Sequence, residues 1–178
     1  MPGSMLDGAV GDMRIDQFQL VNHVESLGLQ APTISARARV PMEHSIFDGH
    51  FPDHALMPGV LLTEMMAQTC GFLLLALNGF SKMPFLAALK EVKLRDFVLP
   101  GTELSCQAVR EHDGSGYAVM KASIRRREDD SRVCDGTLMF RIVPYPSEQL
   151  RQHMLARASE VGLTQKRVEF SAAEEPAK

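Results

Sequence analysis

The stretch Val60–Leu77, VLLTEMMAQTCGFLLLAL, constrains this chain more than any other. It is apolar at nearly every position and has no polar face of the kind a surface helix shows. A helix of this composition has to be enclosed by the rest of the protein. Pro58-Gly59 opens it, proline suiting a first turn where its missing N–H is not needed. Asn78-Gly79 stops it. The longer run Leu56–Leu77 is broken by Pro58, Gly59, Glu64, Gln68 and Gly71, which favours a buried core helix over a bilayer span.

What encloses the helix is legible as strands. Thr33–Val40 alternates, with Ile34, Ala36, Ala38 and Val40 on one side, the pattern of a half-buried strand. Gln17–Ser26 fits a first strand or a short helix, and residues 44–57 read as a loop without regular structure. Phe85–Leu89 and Val92–Leu99 are expected as strands ending at the Pro100-Gly101 turn. Glu103–Glu111, Tyr117–Arg127 and Arg132–Val143 then alternate, joined by turns at Asp113-Gly114-Ser115-Gly116 and Glu128–Ser131. Ser147 can cap a last helix with an apolar stripe at Leu150, Met154, Ala158 and Val161, and Gly162 can end it. The fold class expected is α+β, a central helix packed on one antiparallel sheet. The expected organisation is a flexible N-terminus over 1–13, one domain over 14–146, and a C-terminal helix with a disordered tail over 147–178.

Composition narrows the function. A net charge of −3 gives no bulk basic character, so nucleic acid is not an expected partner. Three cysteines, Cys70, Cys106 and Cys134, lack ligand-like spacing, which argues for a reducing compartment. The first residues lack a charged n-region and an apolar h-region. A cytoplasmic protein without membrane insertion is therefore expected.

The chemistry gathers in HFPDHALMPGVLLTEMMAQ, residues 50–68. Glu64 is a carboxylate in an apolar run, where burial favours the protonated form and makes a general acid. Gln68, four residues on, shares its helix face and is within reach to orient it. His50 is a natural acid or base near pH 7. The first N–H groups of the helix, at Gly59 or Val60, lack internal partners and can hold a carbonyl oxygen as charge develops on it. His44, His50 and His54 do not share a helix face, so no metal is expected. No cofactor is expected either. A base, an acid and an oxyanion donor suit removal of a proton beside a carbonyl with loss of a β-hydroxyl. They suit other acyl chemistry as well.

The motif GHFPDHALMPGVLLTEMMAQ resembles the signature GHFPGHPxMPGVLxxEAMAQ of the bacterial 3-hydroxyacyl-(acyl carrier protein) dehydratases of the FabA/FabZ type. The separation from His50 to Glu64 and the intervening Pro-Gly both match. LAALKEVKLRDFVLPGTEL resembles that family's strand-turn segment, and the likeness covers roughly residues 16 to 144. The resemblance implies a hot-dog fold, a long helix wrapped by a curved antiparallel sheet. It implies a homodimer or a trimer of dimers with each site shared, His50 of one chain facing Glu64 of the other. In that scheme His50 removes the C2 proton, Glu64 protonates the leaving hydroxyl, the Gly59 N–H binds the thioester carbonyl, Gln68 holds Glu64, and the Leu56 carbonyl orients His50. Phe85, Leu86, Leu94 and Phe97 are expected to line the acyl tunnel. The partner would be an acidic acyl carrier protein docked on a basic rim drawn from Lys90, Lys93, Arg95 and Arg125–Arg127.

The sequence departs from the pattern at Asp53, where glycine is usual, and at Ala55, where proline is usual. MRIDQFQLVNHV replaces the usual N-terminal motif, and the helix after Pro146 is an extension. These features, with MPFLAALKEVKLR and EHDGSGYAV, resemble a FabZ-like subgroup acting on very-long-chain acyl groups for lipid A. A glutamate acid matches the FabZ branch, which dehydrates without isomerising. A hot-dog thioesterase and a non-catalytic carrier-binding subunit remain as alternative readings.

Overall fold

The computed structural model describes residues 11–164. The expected mobility of the first ten residues and disorder of the C-terminal tail lie outside them. Six strands form one antiparallel sheet: β1 (His23–Gly28), β2 (Thr33–Arg39), β3 (Met83–Leu94), β4 (Glu103–Gly114), β5 (Tyr117–Arg126) and β6 (Arg132–Val143). Their spatial order is β1-β2-β4-β5-β6-β3. Three helices accompany them: the short α1 (Ile46–Gly49), the central α2 (Gly59–Leu77) and α3 (Glu148–Glu160).

Alternation along the strands decides which face of the sheet meets α2. Leu104, Cys106 and Ala108 on β4, Ala118, Met120, Ala122 and Ile124 on β5, and Cys134, Leu138 and Phe140 on β6 are all buried. From α2 they meet Leu61, Leu62, Met65, Met66, Cys70 and Leu73 to Ala76 in one hydrophobic core. A buried large aliphatic side chain contributes about 1.5–3 kcal/mol, so this shared face is the main source of stability. The one buried polar side chain on α2, Thr69, donates to the Met65 carbonyl at 2.9 Å and so has its partner inside the helix. By length and composition α2 could cross a membrane. In this fold 67% of its apolar window is buried against the protein.

Several boundaries differ from expectation. α2 starts at Gly59, with Pro58 as its N-cap at ψ 132°. It is not enclosed all round: Val60 is exposed and Thr63, Glu64, Gln68 and Gly71 are half-buried, because the sheet wraps only part of its circumference. The expected strands 85–89 and 92–99 are one strand. β3 carries irregularities between Leu86 and Ala88 and between Lys90 and Lys93, with Glu91 at φ +51°, and these bulges break the alternation that would have revealed it. It ends at Leu94, so residues 95–99 are not strand. The N-terminal segment divides into a 3-10 turn at Ile15–Gln17 and β1, and the region 44–57 contains the helical turn α1. Order reaches back past the expected boundary at residue 14, because Met13 is buried and donates to the Arg39 carbonyl at 2.9 Å.

α3 forms where Ser147 predicted it, the serine accepting a hydrogen bond from the Leu150 N–H at 3.2 Å. Ala158, Val161 and Leu163 join the core. Gly162 at φ +81° ends the helix in the left-handed conformation that favours glycine.

Candidate active site

The uncovered strip of α2 holds Glu64 and Gln68. Gln68 Nε2 donates to Glu64 Oε1 at 3.1 Å and to the Phe18 carbonyl at 2.7 Å, while Gln68 Oε1 accepts from the Leu20 N–H at 3.1 Å. The Leu20 N–H requires an oxygen and the Phe18 carbonyl requires a donor, so the amide can have only one orientation. It therefore presents a hydrogen to Glu64 Oε1, and a proton on Glu64 belongs on Oε2. Glu64 is half-buried rather than enclosed, because it borders a cavity instead of the core.

That cavity, about 330 Å³, runs along α2 from Glu64 through Gly71 to Leu75. Phe85 and Leu86 of β3 line its other side, and Phe18 and Gln19 close it near Glu64. Gln19 also lines this cavity, a position no sequence pattern marks. Its side-chain oxygen is buried without a donor among the described residues. Leu94 and Phe97, expected in the same tunnel, are not on this lining; both are exposed. A larger groove of about 590 Å³ crosses the outer sheet face. It holds neither Glu64 nor His50, so the smaller cavity is the candidate site.

His50 follows α1 and is half-buried. Its Nδ1 lies 3.1 Å from the Leu56 carbonyl. A carbonyl only accepts, so the proton sits on Nδ1 and the lone pair on Nε2 is left free to act as a base. The ring stacks on Phe51 at 4.4 Å between centroids. His50 is absent from the cavity that Glu64 borders within this chain. His44, upstream, is committed to structure: its Nδ1 accepts from the Ile46 N–H at 3.1 Å and its Nε2 reaches Asp16 at 2.9 Å.

Pro58 accepts from Leu61 and Leu62 at 3.0 and 3.3 Å, which leaves the Gly59 and Val60 N–H groups at the positive end of the helix without acceptors among the described residues. The Leu94 side chain occupies the space a Cβ at Gly59 would need. The loop feeding this helix start is fixed by the Met57 N–H donating to the Val98 carbonyl at 2.8 Å. Arg126 secures that region in turn, donating to Asp96 at 2.8 Å and to the Phe97 carbonyl at 3.1 Å.

The arginines of the expected rim are engaged locally. Arg95 pairs with Asp135, Arg125 with Asp130, Arg126 with Asp96 and Asp129, and Arg127 with Glu25. Lys90 and Lys93 are in no ion pair among the described residues. No group of three or more His, Cys, Asp or Glu in those residues is placed to hold a metal. Burial pushes the Cys106 and Cys134 thiols up to about 12 and about 11 and raises Cys70 as well, so none of the three is a nucleophile near neutral pH.

A core helix packed against one antiparallel sheet, with an oriented carboxyl bordering a cavity, defines a hot-dog protein. The chain belongs to the FabA-like domain family, whose model matches residues 14–137. Similar curated proteins include the 3-hydroxyacyl-[acyl-carrier-protein] dehydratase FabZ of Fusobacterium nucleatum, 32% identical over 69% of this chain and 85% of that one. The FabZ of Streptococcus pneumoniae is 35% identical over 65% of this chain and 82% of that one. Among solved structures, a hypothetical thioesterase with coenzyme A from Streptococcus pneumoniae matches with TM-score 0.54 and 14% identity over 70% of this chain and 88% of that one. AziG of S. sahachiroi matches with TM-score 0.57 and 11% identity over 74% and 96%. At such identities the solved structures speak for the fold alone.

Proposed function

We propose that this protein dehydrates 3-hydroxyacyl thioesters on an acyl carrier protein to trans-2-enoyl thioesters, a step of fatty acid synthesis. The observation that carries this reading is the complementary hydrogen bonding of its two titratable groups. Leu56 leaves His50 Nε2 able to take a proton, and Gln68 leaves Glu64 Oε2 able to give one. His50 Nε2 removes the C2 proton. The charge that develops on the thioester oxygen is held by the Gly59 N–H. The C2–C3 double bond forms as the C3–O bond breaks, and the hydroxyl leaves as water with the proton from Glu64. Solvent then returns the proton from His50 to Glu64. No electron is gained or lost overall, so the step needs no redox cofactor.

The working unit in this reading is a homodimer. β3 is an edge strand with an unpaired side, and Phe85, Leu86, Leu89 and Leu94 on it are all exposed. An apolar edge of this kind invites a second copy. Pairing there would bring a partner's loop at residue 50 towards Glu64. Lys90 and Lys93 on the same strand are in no ion pair among the described residues and would face an acidic carrier. The finer placement among enzymes acting on very-long-chain groups for lipid A rests on sequence resemblance.

Turnover of a 3-hydroxyacyl carrier thioester to the enoyl product tests the reading. His50→Ala and Glu64→Gln should each lower kcat by about 10²–10⁴-fold. Undiminished turnover in both would sink the assignment, and release of free thiol without enoyl product would mark a hydrolase.

A further inference from the structure

The curated matches span 82–88% of the relatives but only 65–71% of this chain, and the family match ends at residue 137. α3 therefore lies outside the shared domain, yet it is built into the site. His153, Met154 and Arg157 line the same cavity as Glu64. Near one end of α3, Arg151 Nε donates to the Phe80 carbonyl at 3.4 Å, just past the C-terminus of α2. Near the other, Arg157 Nη2 donates to the Val21 carbonyl at 2.6 Å, beside the segment that anchors Gln68. The Val24 N–H also donates to the Val161 carbonyl at 2.8 Å. α3 thus runs antiparallel to α2, and Met154, between these anchors, lines the cavity together with Gly71 and Leu75. The Arg157 guanidinium is committed to Val21 and Glu160, which leaves Met154 as the apolar member of this wall.

Gly71 faces the same space. A glycine inside a helix is less stable than alanine by roughly 0.5–1 kcal/mol, and here, its chain neighbours and the adjoining helix backbone aside, no atom of the described residues lies within 4 Å of where its Cβ would stand. Nothing among the described residues requires the missing side chain. The cavity that Gly71 floors gives a reason for it, because a ligand chain can lie directly on the helix backbone there.

We propose that α3, through Met154 set against Gly71, forms the distal wall of the acyl cavity and determines the length of acyl chain that is accepted. This rests on the dehydratase reading above. Gly71 is seven residues from Glu64 and Leu75 eleven, or about 10 and 16 Å at the rise of a helix, so only a long chain reaches this wall.

The experiment uses the full chain and its Met154→Trp and Gly71→Leu variants. The rates kcat/KM are compared for sixteen-carbon and four-carbon 3-hydroxyacyl carrier thioesters. In both variants the long-to-short ratio should fall tenfold or more, the equivalent of about two methylenes kept out of the cavity. The protein has no tryptophan, so the indole of Met154→Trp is a sole reporter. Its emission should change with a saturated sixteen-carbon acyl thioester and not with a four-carbon one. An unchanged ratio in both variants, or an indole blind to the long chain, overturns the proposal. An indole that responds to the long chain while the unaltered protein turns over neither substrate supports the wall and removes the dehydratase reading. Gly71→Leu carries the test if Met154→Trp fails to fold.

Discussion

Gln68 and Glu64, one helical turn apart on α2, are joined at 3.1 Å by a hydrogen bond whose direction is set elsewhere. The backbone of Phe18 and Leu20 dictates which end of the Gln68 amide faces the carboxyl. Gln68→Ala should therefore lower kcat more than it raises KM, by about 10-fold, near the value of a hydrogen bond to a charged group. Gln68→Glu should be at least as damaging, since it replaces the donor with an acceptor. Steady-state kinetics with circular dichroism to confirm folding would show this. Equal effects on stability and none on kcat would reduce Gln68 to a structural residue.

Separation of His50 from the cavity that Glu64 borders leads to a complementation test. His50→Ala and Glu64→Gln chains should each be inactive alone. Co-expressed with different tags and purified together, randomly paired dimers should recover about a quarter of wild-type activity, since half the dimers are mixed and each mixed dimer has one intact pair. No recovery in verified mixed dimers would place both groups of a site in one chain.

Asp53 stands at φ +60°, where the related pattern has glycine. Aspartate tolerates the left-handed region better than most residues and a β-branched side chain tolerates it poorly. Asp53→Gly should be neutral or raise the melting temperature slightly, while Asp53→Val should cost about 1–2 kcal/mol. Thermal denaturation of the two variants decides, and equal stabilities would show that the loop adjusts.

Acid should weaken the fold through the turn after β5. Ser131, by its hydroxyl and N–H, and then Arg126 hold the Asp129 carboxyl at about 2, below its ordinary 3.8. Asp96 and Asp135 are lowered as well, chiefly by Arg126 and Arg95. A depressed folded-state value means the stabilisation is present above the unfolded value and disappears as pH falls through the folded one. The melting temperature should hold above about pH 5 and fall between about pH 4 and pH 2. Asp129→Asn should make that fall shallower. Denaturation scans across this range measure both slopes.

Local chemistry made much of this molecule legible in one dimension. The long, mostly apolar run pointed to a core helix, alternation gave β2, β4, β5 and most of β6, and Ser147 and Gly162 marked the ends of α3. Glu64 and Gln68 were readable as a pair because four residues is one helical turn. β3 reads in the sequence as two strands because its bulges interrupt the period of two along it.

What the sequence determined by itself is the helix, its wrapping and the presence of an acid, a base and an orphan N–H in nineteen residues. Tertiary structure decided what surrounds them. It turned one strip of α2 away from the sheet, so that Glu64 borders a cavity rather than the core. It supplied Phe18 and Leu20 from fifty residues upstream to orient Gln68, and it brought α3 from the far end of the chain to wall the cavity. None of this follows a local period, because contacts between segments distant in sequence are set by the shape of the packed core, which no stretch of chain contains alone.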